Sequence, residues 1–359
     1  MERRDAIVIG AGITGAAAAW SLARRGKRVT VLEQFDRGHV RGSSHGGSRI
    51  FRLAYPDPFW VRLACAALGD WRELESSTGV GLLVQTGTVD HGDPDELGAV
   101  VSALDAEHVP TELLPAEIAR ERWPGMRFEG PVLFQAGGGR IAAGAALLAL
   151  LEQTLRDGGE MRWETPVRAL EIEDDRARVV TDSHTYEAEV VVVAAGAWVE
   201  GLVGDVIGLP PLRVTQESLF HFAPVDPRSL WPSFIHHGAG LHYGLETPGE
   251  GVKVAEHGSG PAVTADDRDF TVDPGSRERV VQFVEQWMPG LRPVPVTEAT
   301  CLYTSTPSED FVIDRAGPLL IASPCSGHGF KFAPLVGRMI ADVAEGTEAI
   351  DRFSLTRRA

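Results

Sequence analysis

A short β-branched run, Ala6-Ile7-Val8-Ile9, and an alanine-rich run beginning at Ala16 are joined by Gly10-Ala11-Gly12-Ile13-Thr14-Gly15, the spacing G-x-G-x-x-G. That spacing suits the pyrophosphate of a dinucleotide. Gly10 permits a tight turn, Gly12 lets backbone approach phosphate, and Gly15 lets a helix pack closely on a strand. The helix start then offers free N–H groups and a positive dipole end to the anion. Glu33, followed by Gln34, stands at the tip of the next apolar run, where an acid accepts hydrogen bonds from the adenosine ribose hydroxyls. The motif alone does not separate FAD from NAD.

Other groups able to do chemistry lie further along. A polar segment, Arg41-Gly42-Ser43-Ser44-His45-Gly46-Gly47-Ser48, leads to Arg49 and Arg52. A planar guanidinium grips a carboxylate with two parallel bonds. Lys253 lies between Val252 and Val254, a place that invites burial, with His257 four residues on. Ser326-Gly327-His328-Gly329-Phe330-Lys331 is a glycine-rich loop opening a helix, and it offers backbone donors and an ammonium. Each has a plain structural reading as well: an ion pair with one of the 50 acids, or a histidine bracing a loop. A cysteine such as Cys301, within Thr300-Cys301-Leu302-Tyr303, is by itself an ordinary small core residue. No Ser-His-Asp arrangement or metal-ligand spacing competes.

The elements that must position these groups alternate incompletely. Strand, glycine turn, helix and strand occupy the first 35 residues, with Gly26 closing the helix. Helical patterns follow near residues 59–75, 95–107, 142–156, 277–286 and 335–345. Strand patterns fall at 82–85, 167–172, 177–181, 218–222 and 319–323. Residues 189–198 form a buried strand delivering Ala195-Gly196 and Trp198, a second approach of backbone to the nucleotide. The expected fold class is α/β: a Rossmann-like nucleotide domain and an α+β substrate domain with a mixed or antiparallel sheet. The nucleotide domain is expected from residues 1–81, 140–215 and 301–359, and the substrate domain from 82–139 and 216–300, with the active site between them.

The 359 residues are 43% hydrophobic and 23% charged, with a net charge of −16. That acidity disfavours nucleic acid or an anionic membrane as partner. No apolar run reaches the roughly 18 residues a membrane span needs. The opening Met-Glu-Arg-Arg-Asp passes into an apolar stretch too short for a signal peptide, and Thr356-Arg357-Arg358-Ala359 is not a peroxisomal address. Three dispersed cysteines, Cys65, Cys301 and Cys325, suit a reducing compartment, so a cytoplasmic location is expected. Cys65, on a helical apolar face, is expected in the core.

Taken in order, these landmarks resemble the monomeric sarcosine oxidase and N-methyltryptophan oxidase family, within the D-amino-acid-oxidase-like flavoenzymes. The resemblance covers nearly the whole chain. Its most specific parts are Cys301-Leu302-Tyr303-Thr304 and the loop ending Lys331-Phe332. It implies FAD, held covalently by a thioether from Cys301 to the flavin 8α-methyl, with Cys325 as the one rival thiol. It implies a substrate carboxylate on Arg52 and Lys331, Arg49 over the flavin ring, and Tyr243 and Tyr303 lining the substrate cavity. Lys253 would promote reaction with oxygen, and His257 would contact substrate or handle a proton. Gly10, Gly12, Ile13, Thr14, Gly15, Glu33, Gln34, Ser43, Ser44 and His45 would bind the cofactor. So would Val167, Ala195, Gly196, Trp198, Gly327, His328, Gly329 and Phe330. The implied reaction is oxidation of a secondary amine, an N-methyl or cyclic amino acid, with oxygen reduced to hydrogen peroxide, by a monomer.

The chain departs from the pattern at Glu256, at Pro324-Cys325, and in the segment carrying His236, His237 and His242. Those differences put sarcosine itself in doubt and leave a bulkier substrate open. The alternatives are a flavin dehydrogenase, a tailoring oxidase acting on a larger metabolite, a flavin-carrying subunit without activity, or a NAD-linked 2-hydroxyacid dehydrogenase. Lys253 argues against the first, and Cys301 with the C-terminal loop against the last.

Overall fold

The computed structural model describes residues 2–173 and 175–355; Met1 and residues 356–359, read above, lie outside the described residues. Five parallel strands lie side by side in the order Glu160–Arg162, Val29–Leu32, Glu2–Ile9, Thr185–Val193 and Leu319–Ser323, and all but the outermost Glu160–Arg162 carry apolar runs. They read as continuous rather than alternating because both faces are covered: Ile7, Val8, Val191 and Val192 have no solvent exposure. Three antiparallel strands, Val167–Glu173, Arg176–Thr181 and Val312–Ala316, complete this sheet. The helix Ile13–Ala23 packs against helices Ala143–Arg156 and Ala333–Ala344. Small residues allow this. Ala16, Ala17, Ala18 and Ala19 are fully buried, and a Cβ on Gly337 would overlap the carbonyl of Ala17.

A second eight-stranded sheet runs Leu291–Ser305, Arg213–Pro224, Gly251–Glu256, His242–Thr247, Ser233–His237, Thr88–Gly92, Val132–Gln135 and Glu112–Leu114. It is antiparallel except where Ser233–His237 lies parallel to Thr88–Gly92. The helix Pro274–Trp287 packs on it through Val280, Phe283 and Val284, and Phe283 stacks on Phe234. The expected joints at 215/216 and 300/301 fall inside two strands of this sheet, which pair from Arg213 with Ser305 to Pro224 with Leu291. Cys301 and Tyr303 therefore ride on the second sheet. A small sheet of Ser48–Phe51, Gly139–Ala142 and Leu83–Val84 carries Arg49.

Cys65 is not in the core. The buried stripe of helix Pro58–Thr78 runs through Trp60, Val61, Ala64, Ala67, Trp71 and Leu74. Cys65 lies one residue past Ala64, about 100° around the helix, and is exposed. The C-terminal glycine loop also differs in detail, opening into a 3₁₀ turn, Gly329–Phe332, before the helix Ala333–Ala344 begins.

Candidate active site

One cavity of about 1450 Å³ runs from the glycine turn to the second sheet. Its walls explain the glycines. Gly10 has φ +102°, and a Cβ there would stand 2.5 Å from the Ala194 carbonyl oxygen. Gly12 faces the cavity with Ser44 Oγ as its near neighbour. Of the residues assigned above to cofactor, substrate or catalysis, Gly15 alone does not line the cavity. It packs behind the turn, where a Cβ would overlap the oxygen of Gly10.

The helix beginning at Ile13 has no acidic residue in its first turn and no side-chain cap on its N-cap residue, Gly12. Ser44 Oγ accepts from Ile13 N at 2.9 Å, while the remaining pull of the helix end falls on the cavity. Glu33 is buried, and its carboxylate accepts from Ala11 N at 2.8 Å and Phe35 N at 3.1 Å. Burial alone would raise its pKa, but His39 and these two N–H groups outweigh that and hold it below the usual carboxylate range. Gln34, Val167, Ala195 and Gly196 line the same end, beside Trp198, whose Nε1 donates to Asp266. A helix N-terminus at the cavity wall, a glycine cradle and an ionised acid 18 residues past Gly15 form a set of donors and an acceptor that fits a dinucleotide such as FAD.

Towards the second sheet the cavity becomes cationic. Ser43 Oγ donates to Leu302 O, fixing the polar segment against the Cys301 strand. Arg49 donates to the carbonyls of Ser43, His45 and Ser48 and lies 5.3 Å over the Phe330 ring. Lys253 Nζ donates to the same Ser48 oxygen at 2.7 Å. Burial first, and Arg49 second, push Lys253 down to about 7. His45 is pushed to about 4 by burial and by Arg49, and its Nε2 is buried without a partner among the described residues. Cys301, opposite Glu217 in register, is buried, and that burial raises its thiol above the ordinary value. Cys325 Sγ accepts from Thr304 N at 3.3 Å.

A second cationic cluster includes a residue the sequence reading missed. Lys331 Nζ donates to Tyr55 Oη at 2.8 Å and to His328 O at 2.8 Å. The guanidinium of Arg52 lies 4.4 Å over the Tyr55 ring and donates to Ala54 O. Tyr55 Oη is also 3.3 Å from His328 Nδ1. Burial, then Arg52, lowers Lys331 well below the ordinary lysine value. Nothing in Leu53-Ala54-Tyr55 marks Tyr55 from sequence, because it follows a strand end with no periodicity.

His257 Nδ1 and Tyr303 Oη stand 3.4 Å apart, and a Cβ on Gly327 would collide with both side chains. Burial, then Arg52, pushes His257 to about 4, so it is neutral at ordinary pH. Burial lifts Tyr243 to about 12 and Tyr303 well above its usual value, so both phenols stay protonated. The cavity thus joins a nucleotide cradle to a chamber with two pairs of cations and neutral hydrogen-bonding side chains.

Comparison with known proteins agrees with this geometry. Residues 5–343 match the family model described as FAD dependent oxidoreductase. The chain is 36% identical to monomeric sarcosine oxidase of Streptomyces avermitilis, covering 96% of this chain and 94% of that one. It is 35% identical to human peroxisomal sarcosine oxidase, over 95% and 92% of the two chains. Its structure superposes on NikD, an amino acid oxidase of nikkomycin biosynthesis, with a TM-score of 0.90 at 27% identity, covering 99% and 98%. The resemblance read from the sequence therefore holds along the chain, and the protein belongs to the family of FAD-dependent oxidoreductases.

Proposed function

We propose that the chain is an oxidase of secondary amines, N-methyl or cyclic amino acids, using oxygen and releasing hydrogen peroxide. FAD, when bound, supplies the two-electron acceptor for oxidation of the C–N bond and the route of those electrons to oxygen. The observation that carries the reading is the division of the cavity's cations into two pairs. Arg52 and Lys331 meet around Tyr55, whereas Arg49 and Lys253 share the Ser48 carbonyl. The first pair suits the substrate carboxylate, with two cations and a fork geometry. The second suits negative charge that develops during oxygen reduction, where a fixed cation in a dry site lowers the barrier. His257 and Tyr303, neutral and hydrogen-bonded together, orient the amine and leave it unprotonated. Arg49 and the 326–331 loop stabilise electron-rich oxygen and nitrogen atoms of the cofactor.

Cys301 is the residue we assign to the thioether. Its thiol lines the cavity, and Arg49 and Lys253 favour its thiolate against the effect of burial. Cys325 is engaged by Thr304 N and serves as the control. The division of the chain into a nucleotide domain around the parallel sheet and a substrate domain around the second sheet belongs to the same reading, with the joints carried inside two long strands. A monomer is supported by the relatives named monomeric. Among the described residues no helix is long and apolar enough to cross a membrane. The three free thiols fit a reducing compartment, so a cytoplasmic enzyme is the reading they support.

The test is to mix the purified protein anaerobically with N-methyl and cyclic amino acids, then admit oxygen. Bleaching of the flavin by an amine, followed by one peroxide per amine oxidised, is the expected result. No bleaching by any of them would remove the amine reading, and bleaching without peroxide would make the chain a dehydrogenase. Acid precipitation should leave the flavin on the Cys301 peptide in the wild type and in Cys325→Ser, and free it in Cys301→Ser.

A further inference from the structure

The cavity wall carries a polar device that carboxylate binding and oxygen reduction leave unused. His237 ends the strand Ser233–His237 and lines the cavity. Alternation along a strand puts it on the same face as Ile235, which also lines the cavity and stands opposite Tyr243 in the antiparallel register. Two residues of strand carry His237 about 7 Å beyond that pair. Its Nε2 is 3.1 Å from Oδ1 of Asp90, a carboxylate on the neighbouring strand with no solvent exposure. The other oxygen of Asp90 has no partner among the described residues, so His237 is the donor this buried acid depends on.

That dependence fixes the tautomer. A bond to Asp90 places a proton on Nε2, and in the neutral imidazole Nδ1 then keeps its lone pair. The groups packed around the pair do not reverse this. His91 and His236 sit Nδ1 to Nδ1 at 3.4 Å, and burial pushes them to about 3 and about 4, so both are neutral. Burial also lowers His242, which stacks on Phe283. The helix Pro94–Ala106 begins where Asp93 N donates to His237 O at 2.7 Å, and its Glu96, an acid, lines the same cavity. This corner therefore offers acceptors.

We infer that His237, held by Asp90, is a specificity subsite that takes a hydrogen-bond donor, a hydroxyl or N–H, at the far end of the substrate's side chain. This deepens the amine-oxidase reading and rests on it. With the substrate carboxylate at Arg52 and Lys331, the donor would be carried by a side chain that extends past Ile235 and Tyr243 towards His237, which N-methylglycine lacks.

The experiment compares kcat/KM for N-methyltyrosine and N-methylphenylalanine in the wild type, His237→Phe and His237→Asn. Each value is expressed relative to N-methylglycine in the same protein. A site built around one hydrogen bond should favour the hydroxyl by about ten- to a hundredfold in the wild type. The ratio should fall to near one in His237→Phe and recover in part in His237→Asn, whose Oδ1 replaces Nδ1. A wild-type ratio near one overturns the subsite, even if His237→Phe fails to fold. So does a ratio that survives His237→Phe, or a stronger preference for N-methyl-para-carboxyphenylalanine, which would require a donor at Nδ1. If the wild type oxidises none of the N-methyl amino acids, N-methylglycine included, the amine-oxidase reading falls and the subsite with it.

Discussion

Replacing Tyr55 with Phe tests the proposed carboxylate site, in which Arg52 and Lys331 repel each other around one phenol. The ring, and with it the stacking of Arg52 at 4.4 Å, is kept. Only the hydroxyl is lost, and with it the 2.8 Å bond from Lys331 Nζ and the 3.3 Å contact with His328 Nδ1. Lys331 already resists protonation because it is buried beside Arg52. Removing an acceptor from a buried ammonium leaves His328 O as its remaining partner among the described residues and weakens the charged form further. A hydrogen bond to a charged group contributes about 1.5 to 3 kcal/mol. As lost affinity that is roughly ten- to a hundredfold in Kd for an anionic ligand. The assay is titration of the flavin-containing protein with benzoate and with benzamide, followed by the change in flavin absorbance. Benzoate should weaken by that factor and benzamide should not. If both weaken equally, Tyr55 shapes the pocket without supporting charge. If neither weakens, Lys331 does not need the hydroxyl, and the argument fails.

Two further perturbations follow from the same geometry. Lys253 has a folded pKa of about 7, below its unfolded value, so the unfolded state binds more protons between the two. The cost of keeping it charged is full below pH 7 and is relieved as pH rises towards the unfolded value. Flavin-free wild type should therefore gain up to about 1.4 kcal/mol of stability per pH unit across that window relative to Lys253→Met. Denaturant midpoints at pH 7, 8 and 9 check this, and parallel curves would show that Lys253 titrates normally. Gly15→Ala puts a methyl group into the Gly10 carbonyl, and neither backbone can yield. We expect a loss above about 3 kcal/mol and no flavin uptake. Gly26→Ala meets open space at φ +81° and should cost only about 1 kcal/mol, as thermal melting of both would show.

Where local chemistry dictates structure, the sequence was easy to read. The glycine turn, the alanine helix and the Leu319–Ser323 strand lie where patterning places them, because a buried parallel strand leaves a continuous apolar run. Cys65 misled because its neighbours Leu63, Ala64, Ala66 and Ala67 make almost every side of that helix apolar, and only packing reveals which stripe is covered. Tyr55, Asp90 and His237 were illegible for another reason. Their meaning depends on contacts between strands far apart in sequence, such as Asp90 with His237, which no local period records.

The cationic chamber links stability to function. Among the described residues, no ion pair involves Arg49, Arg52, Lys253 or Lys331; carbonyls and a phenol satisfy them instead. Carbonyl dipoles hold a buried cation less well than a carboxylate does, so folding leaves these four groups under-compensated. Elsewhere the chain pairs its arginines freely, as Arg352 does with Asp57 and Asp310. An acid placed beside Arg52 or Lys253 would relieve the cost and cancel the field. The unrelieved charge is therefore available to anions that arrive from outside, which on the proposed reading are a substrate carboxylate at one pair and the charge of oxygen reduction at the other. On this argument Ser48→Asp, whose carboxylate would enter beside Thr247 Oγ1 on the residue whose carbonyl holds Lys253, should stabilise the flavin-free fold while slowing flavin reoxidation by oxygen. Thermal melting and stopped-flow reoxidation measured on the same variant would show the two effects moving in opposite directions. If both improved together, the cavity's charge would not be what drives the oxygen reaction.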